Sequence, residues 1–83
     1  RGSKLTNNSF ENFIANNTDM KNIIFEKNKY INFEIKFSNL FKSKFVSENL
    51  KNISLKECNT FLCTYENSSG YEILDIDKYS IIN

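Results

Sequence analysis

The clearest pattern of apolar and polar positions lies between Tyr30 and Phe37, where the two kinds of residue alternate strictly. One face would carry Ile31, Phe33, Ile35 and Phe37, and the other Tyr30, Asn32, Glu34 and Lys36. A period of two sustained over such a length predicts a half-buried β-strand. The apolar run Asn22–Glu26 predicts a shorter, buried strand just before it.

A first helix is predicted over Phe10–Asn16. Ser9 is a suitable N-cap, because its hydroxyl can accept a hydrogen bond from a backbone N–H of the first turn. The apolar residues of this segment fall at helical spacing and would form one stripe: Phe10, Phe13 and Ile14. A helix with one apolar stripe needs a sheet or another helix to cover it.

A second, longer helix is predicted to begin after Ser38 or Asn39 and to end between Ile53 and Glu57. Its apolar positions recur at helical spacing, and Lys and Glu lie mostly on the other side. These apolar positions are Phe41, Phe45, Val46, Leu50 and Ile53.

The remaining elements are strands. Leu5–Asn8 can form a brief first strand, and Phe61–Tyr65 and Tyr71–Ile76 read as a hairpin whose loop ends in Gly70. The predicted order is β–α–β–β–α–β–β, an α+β fold with two helices packed on a small mixed or antiparallel sheet. No internal repeat is recognised in this pattern.

Composition and charge exclude some classes of function. The net charge is +1, and Lys and acidic residues are interspersed, so the chain lacks the basic stripe typical of nucleic-acid binding. No apolar run has the roughly 20 residues needed to span a bilayer, so we expect no membrane-embedded segment. Residues 1–3 (Arg-Gly-Ser) look like an expression-tag remnant, residues 4–77 form a single predicted domain, and residues 78–83 are a linker or an extra strand.

Side chains suited to catalysis are scarce. The chain contains no His, which excludes the common general base and the nucleophile pairs that depend on it. The acidic residues Glu72, Asp75 and Asp77 are more typical of a solvated hairpin than of a catalytic pair. Gly70 is the one glycine outside the tag remnant, too few for a phosphate-binding loop. We therefore expect no enzyme activity, no cofactor and no metal site.

Cys58 and Cys63 leave three interpretations open: a disulfide, two buried thiols, or a reactive thiol. On one continuous strand the two side chains would point to opposite faces and could not bond. If Cys58 ended a helix and Cys63 lay on the next strand, closure would be feasible. Two thiols without His cannot complete a structural zinc site within one chain.

The run SFENFIANNTDMKNIIFEKNKYINFEIKF and the later run NTFLCTYENSSGYEILDID resemble the amino-terminal periplasmic domain of secretins, the ring-forming outer-membrane channels of type II secretion, type IV pili and competence systems. The matching positions are Phe10, Phe13, Ile14, Asn22, Ile23, Ile24, the alternating strand Ile31–Phe37, and Gly70. The chain departs from the family in lacking Pro and Gly ahead of the alternating strand, and it has Asn59 where Gly often precedes the hairpin.

This resemblance implies a non-enzymatic docking domain on the periplasmic side of a Gram-negative outer-membrane complex. Its partners would be an inner-membrane secretion or pilus component, or cargo, and neighbouring subunits of a homo-oligomeric ring. An oxidising periplasm would favour a Cys58–Cys63 disulfide. Two alternatives remain: the signalling domain of a TonB-dependent receptor, and a KH-like RNA-binding module, since KH domains share the β–α–β–β–α core.

Docking of this kind is expected to use an exposed sheet edge, whose unpaired N–H and C=O groups can accept another strand. The first candidate is the edge formed by Leu5, Thr6 and Asn7. The second is the polar face of the alternating strand, represented by Tyr30, Asn32 and Glu34.

Overall fold

The computed structural model describes residues 3–70, 74 and 79–83, and these residues form a β-solenoid. Among them there is no α-helix; the regular elements are eight strands and one short 3₁₀ turn. The elements are β1 (Ser3–Thr6), β2 (Ser9–Asn16), β3 (Ile23–Glu26), β4 (Lys29–Lys36), β5 (Lys44–Val46), η1 (Leu50–Asn52), β6 (Ile53–Lys56), β7 (Thr64–Glu66) and β8 (Ile81–Ile82).

All strand pairs are parallel, and the chain returns to the same place after twenty residues. Ser3 of β1 pairs with Ile23 of β3, and Phe33 of β4 pairs with Ile53 of β6. The strands build one sheet in the order β1-β3-β5-β7-β8 and another in the order β2-β4-β6. Each turn of the solenoid, here called a coil, therefore stacks on the preceding one about 4.8 Å away.

Corners come at every fifth residue. Non-glycine residues with positive φ occur at each fifth position from Asn7 to Asn67 except position 52. Asn occupies half of these corners, and its short polar side chain tolerates the left-handed region better than most. A corner every fifth residue in a twenty-residue coil gives four sides. We call them side A (3–6 and its coil equivalents), side B (8–11), side C (13–16) and side D (18–21).

The interior is filled by columns of side chains that stack from coil to coil. Phe25, Phe45 and Tyr65 are fully buried, and their ring centroids are 4.8 and 5.4 Å apart in succession. Phe13 stacks on Phe33 in the same way, at 4.8 Å. The core residues are Ala15, Met20, Phe25, Tyr30, Phe33, Ile35, Leu40, Phe45, Leu50, Ile53, Leu55, Cys63, Tyr65 and Leu74.

Inward polar side chains complete the backbone hydrogen bonding at the corners. Ser43 Oγ accepts from Ile23 N at 3.0 Å and donates to Met20 O at 2.7 Å. The same reach across twenty residues links Asn8 N to Asn28 Oδ1, Thr18 N to Ser38 Oγ, Asn28 N to Glu48 Oε2 and Glu48 N to Ser68 Oγ. These side chains supply an acceptor to N–H groups that would otherwise be left without one.

The predicted α+β fold is wrong. The first predicted helix, Phe10–Asn16, lies in strand β2, and the second predicted helix covers a turn, β5, η1 and β6. The physical reason is the corner: a left-handed residue at Asn12 or Lys42 interrupts any helical run after a few residues. The sheets are parallel rather than mixed or antiparallel.

The prediction of no internal repeat is also wrong, because every fifth side chain from Leu5 to Tyr65 points inward and the chain therefore follows a five-residue repeat over this range. The strands expected at Asn22–Glu26 and Tyr30–Phe37 coincide closely with β3 and β4. The expected strand Tyr71–Ile76 lies outside the described residues, apart from the buried Leu74. In the tail, Ile81 pairs with Thr64, so the last coil is three residues shorter than the others.

We expect Phe45→Ala to destabilise the fold by about 3–5 kcal/mol, because it removes the middle ring of the Phe25, Phe45 and Tyr65 column and leaves a cavity. Urea unfolding followed by circular dichroism measures this loss. Phe61→Ala makes the same chemical change at an outward position that is 38% exposed, and should cost under about 1 kcal/mol. Equal losses for the two variants would contradict the stacked interior.

Candidate interaction surface

Side D and the corner that follows it carry three aromatic side chains on the outer surface. We call Phe41, Phe61 and Tyr79 the aromatic stripe. The ring centroids of Phe41 and Phe61 are 6.0 Å apart with planes 3° from parallel, and Tyr79 meets Phe61 edge-on at 5.5 Å. Phe61 is 38% exposed and Tyr79 is 56% exposed. Such a contiguous exposed apolar patch is typical of an interaction site rather than of a solvated surface.

The backbone beneath the stripe is held by a repeated side-chain turn. Asn39 Oδ1 accepts from Phe41 N and Asn59 Oδ1 accepts from Phe61 N, each at 3.0 Å. Asp19 Oδ1 accepts from Lys21 N in the same way, and this hydrogen bond lowers the pKa of Asp19. These are Asx turns, in which a side-chain oxygen substitutes for a backbone carbonyl two residues before the donor.

Successive turns are also tied to each other. Asn59 Nδ2 donates to Asn39 Oδ1 at 3.1 Å, and the two residues pair through an isolated parallel bridge. Met20 N and Leu40 N donate to the carbonyls of Asn39 and Asn59 in the next coil. The outward residues that follow each turn therefore occupy equivalent positions in successive coils, and the rings stack for that reason.

Few charged groups lie near the stripe in the part of the chain that the structure describes. Lys42 Nζ lies 5.3 Å from the ring centroid of Phe41, a cation–π contact. Lys21 is paired with Asp19 at 3.3 Å. Phe37, at the adjoining corner, is 56% exposed and adds a further apolar side chain. Among the described residues the surface is thus aromatic with an amide border, and the ammonium groups of Lys21 and Lys42 are both already engaged.

A second unusual group of residues is buried rather than exposed. Glu48 is 3% exposed, and its carboxylate accepts hydrogen bonds from Asn28 N (3.1 Å), Asn28 Nδ2 (3.0 Å) and Tyr30 OH (2.7 Å). Burial raises the pKa of Glu48, and the bonds from Tyr30 and Asn28 offset only part of that effect. Burial and the neighbouring Glu48 carboxyl raise the pKa of Tyr30.

This buried group serves the fold. Asn28 Nδ2 also donates to Leu5 O, so one amide connects the first, second and third coils. No substrate can reach a carboxyl group that is so nearly covered, and the three donors already use its oxygens. We therefore assign the group a structural role.

The first predicted docking edge is placed at the end of a sheet. Leu5 and Thr6 belong to β1, which is the outer strand in the order β1-β3-β5-β7-β8. Asn7 follows as a corner at φ 56°, and its N–H already donates to Glu26 O. Docking at this edge stays a prediction.

The second predicted docking face is not a single face. Tyr30 points inward and is 4% exposed, Asn32 is a corner, and Glu34 points outward toward Lys36 and Lys56 at 3.7 and 3.8 Å. The left-handed corner at Asn32 turns the strand from side B to side C, so strict alternation cannot persist through it. Ile31 and Phe37, expected in the core, are 53% and 56% exposed for the same reason.

Cys58 and Cys63 both carry thiols in this structure. They occupy equivalent inward positions on successive sides, D and A. Cys58 Sγ donates to Ile35 O at 3.3 Å, and Cys63 Sγ donates to Leu40 O at 2.9 Å. Each thiol takes the place that Ser38 or Ser43 holds one coil earlier. The predicted acidic residues Glu72, Asp75 and Asp77 lie outside the described residues.

The aromatic stripe was missed from the sequence because its members are twenty residues apart. The signal exists, since Phe41 and Phe61 share a position in the coil, but it becomes meaningful only when the coil length is known. Tyr79 does not share this position in the coil, because the last coil is shorter by three residues.

No family model, no curated protein and no solved structure matches this chain. Within residues 3–70, 74 and 79–83, no helix is long and apolar enough to cross a membrane. The same residues contain no group of three or more metal-binding side chains.

Glu48→Gln is expected to change how stability depends on pH. The folded protein binds the Glu48 proton more tightly than the unfolded chain, whose pKa is near 4.5, so stability falls as pH rises through the interval above that value. The variant lacks this ionisation, and its stability should fall less over the same interval. Urea unfolding from pH 4 upward measures the difference, with the exposed Glu11→Gln as control. A wild-type decline no steeper than that of Glu48→Gln would contradict the burial of this carboxyl group.

Proposed function

We propose that this chain is a non-enzymatic protein-docking module that binds a partner protein through the aromatic stripe. The observation that carries this proposal is the exposure of Phe61 and Tyr79, with Phe41 beside them, where Asx turns hold the backbone of Phe41 and Phe61. Rigid aromatic side chains lose little conformational entropy on binding, and they are enriched among the residues that contribute most to protein interfaces.

The border of the stripe supports a protein partner in particular. Amide side chains of Asn39 and Asn59 flank the rings on one side, and Lys42 lies on the other. An aromatic centre with a polar border is the usual composition of a protein–protein interface. A polyanion would need several cations along the stripe, because affinity for phosphates comes mainly from the release of counterions. Lys42 is the sole cation in contact with a ring of the stripe among the described residues.

The secretin setting, the periplasmic location and the ring-forming partners stay predictions. They were drawn from a resemblance whose first matched positions, Phe10, Phe13 and Ile14, were expected on a helix and lie in strand β2. The KH-like alternative drew on a β–α–β–β–α core that the described residues do not contain. We therefore propose docking through side D without assuming a secretion system.

Phe61→Ser should weaken binding to the partner at least about tenfold, since central aromatic residues commonly contribute 2 kcal/mol or more. Wild-type protein would be used to retain partners from an extract of the source organism. A retained protein would be purified and its affinity for each variant measured by calorimetry. Ile31→Ser is the matched control, because Ile31 is 53% exposed but lies on side B.

Three results would count against this function. Ile31→Ser could weaken binding as much as Phe61→Ser, which would place the interface elsewhere. Phe61→Ser could bind with unchanged affinity. A single-stranded RNA could be retarded in gels at physiological salt and lose binding with Phe61→Ser, which would assign the rings to base stacking.

A further inference from the structure

One corner of the solenoid departs from the five-residue repeat. Positions 12 and 32 are left-handed corners at φ 55° and 53°, whereas the equivalent Asn52 belongs to the 3₁₀ turn η1. Asn49 begins this turn by accepting a hydrogen bond from Lys51 N at 3.2 Å. The third coil therefore leaves the path followed by β2 and β4 between sides B and C.

The departure is supported from the next coil. A Cβ added to Gly70 would lie 3.0 Å from Lys51 N and 3.3 Å from Leu50 C, and Gly70 itself has φ of +85°. Only a residue without a side chain allows the backbone of η1 to approach so closely. The irregular corner thus depends on specific residues of two coils.

A groove of about 480 Å³ opens at this corner. Its volume falls within the range of about 300–1,000 Å³ common for small-ligand sites. The lining residues are Asn12, Ile14, Asn32, Phe33, Glu34, Lys51, Asn52, Ile53 and Ser54. Ile14, at 65% exposed, is the most accessible apolar side chain of the groove.

The polar groups of the groove include both donors and acceptors. Asn32 Nδ2 donates to Asn12 Oδ1 at 3.0 Å, which leaves Asn12 Nδ2 as a donor and Asn32 Oδ1 as an acceptor. The side-chain amide of Asn52 has no hydrogen-bond partner among the described residues. Glu34 already contacts Lys36 and Lys56, so the groove offers amide and hydroxyl groups more than charge.

We propose that this groove binds a neutral, hydroxyl-rich ligand of the size of a mono- or disaccharide. A hydroxyl group both donates and accepts, so neighbouring hydroxyls match the free donor of Asn12 and the free acceptor of Asn32. The C–H face of a sugar ring would pack against Ile14. The lining holds two charged residues, Lys51 and Glu34, and the Glu34 carboxylate is already shared with Lys36 and Lys56, so most polar groups that a ligand could meet in the groove are neutral. This site lies away from side D and is independent of the docking function.

The test is a titration of ¹⁵N-labelled protein with glucose, galactose, mannose and maltose, followed by nuclear magnetic resonance. We expect at least one of these probes to give saturable shifts of the side-chain amide signals of Asn12, Asn32 and Asn52. Concentrations up to roughly 50 mM would saturate a site of millimolar affinity. The backbone amide of Ile14 should shift with them.

Asn32→Gly removes the amide while keeping a residue that accepts the left-handed corner, so the coil should remain folded. It should bind the best probe about five- to tenfold more weakly, because an acceptor and the orientation of Asn12 are both lost. Asn22→Gly makes the same change at another exposed corner, at φ 59°, and should bind as the wild type does.

Three outcomes would overturn this site. None of the four sugars gives saturable shifts at the groove; Asn22→Gly loses as much affinity as Asn32→Gly; or acetate or inorganic phosphate binds there more tightly than every sugar, which would make the groove an anion site centred on Lys51.

Discussion

The fold depends on a backbone constraint, a left-handed residue at every fifth position that turns the chain from one side to the next. Because the corners recur from Asn7 to Asn67, each coil before the last closes after twenty residues, and its strands fall in register with the coil before. Closure brings equal side chains together, which is why phenylalanine stacks on phenylalanine in the interior. A corner also leaves backbone N–H groups without a strand partner, and the inward Ser, Asn and Glu side chains of the next coil accept from them.

The same constraint explains which elements the sequence predicts correctly. Inward positions follow each other at alternating gaps of two and three residues, as in Tyr30, Phe33 and Ile35. A gap of two imitates a strand, so β3 and β4 are recognised. A gap of three resembles helical spacing, so Phe10 with Phe13, and Leu50 with Ile53, suggest α-helices, whereas the structure has a strand at the first pair and only a short 3₁₀ turn at the second. Neither the strand period nor the helical period describes the chain, and only a search for a longer period would have revealed the repeat.

The candidate surfaces are harder to predict than the fold, because they depend on proximity across coils. Phe41 and Phe61 are neighbours only when the coil has twenty residues, and Tyr79 joins them only because the last coil is shorter. The groove lies at position 52, the one corner position between Asn7 and Asn67 that has no left-handed residue, and this exception is recognised only once the backbone is known. The burial of Glu48, by contrast, has no signal in the sequence. An isolated Glu in a polar stretch normally faces solvent, and only the hydrogen bonds from Asn28 and Tyr30 account for its place inside.

In such a repeat, inward and corner positions are dictated by the fold, whereas outward positions are not. An aromatic residue inside is therefore evidence of packing, but an aromatic residue outside requires another explanation. Phe37 is an example of an aromatic residue on the outside. It occupies a corner at φ 50°, where a bulky side chain is strained and Asn would be favoured, and its ring is 56% exposed at the start of side D. An apolar ring that sits at a strained corner and is mostly in contact with water fits a surface that another molecule covers, and Phe37 borders the side proposed to dock.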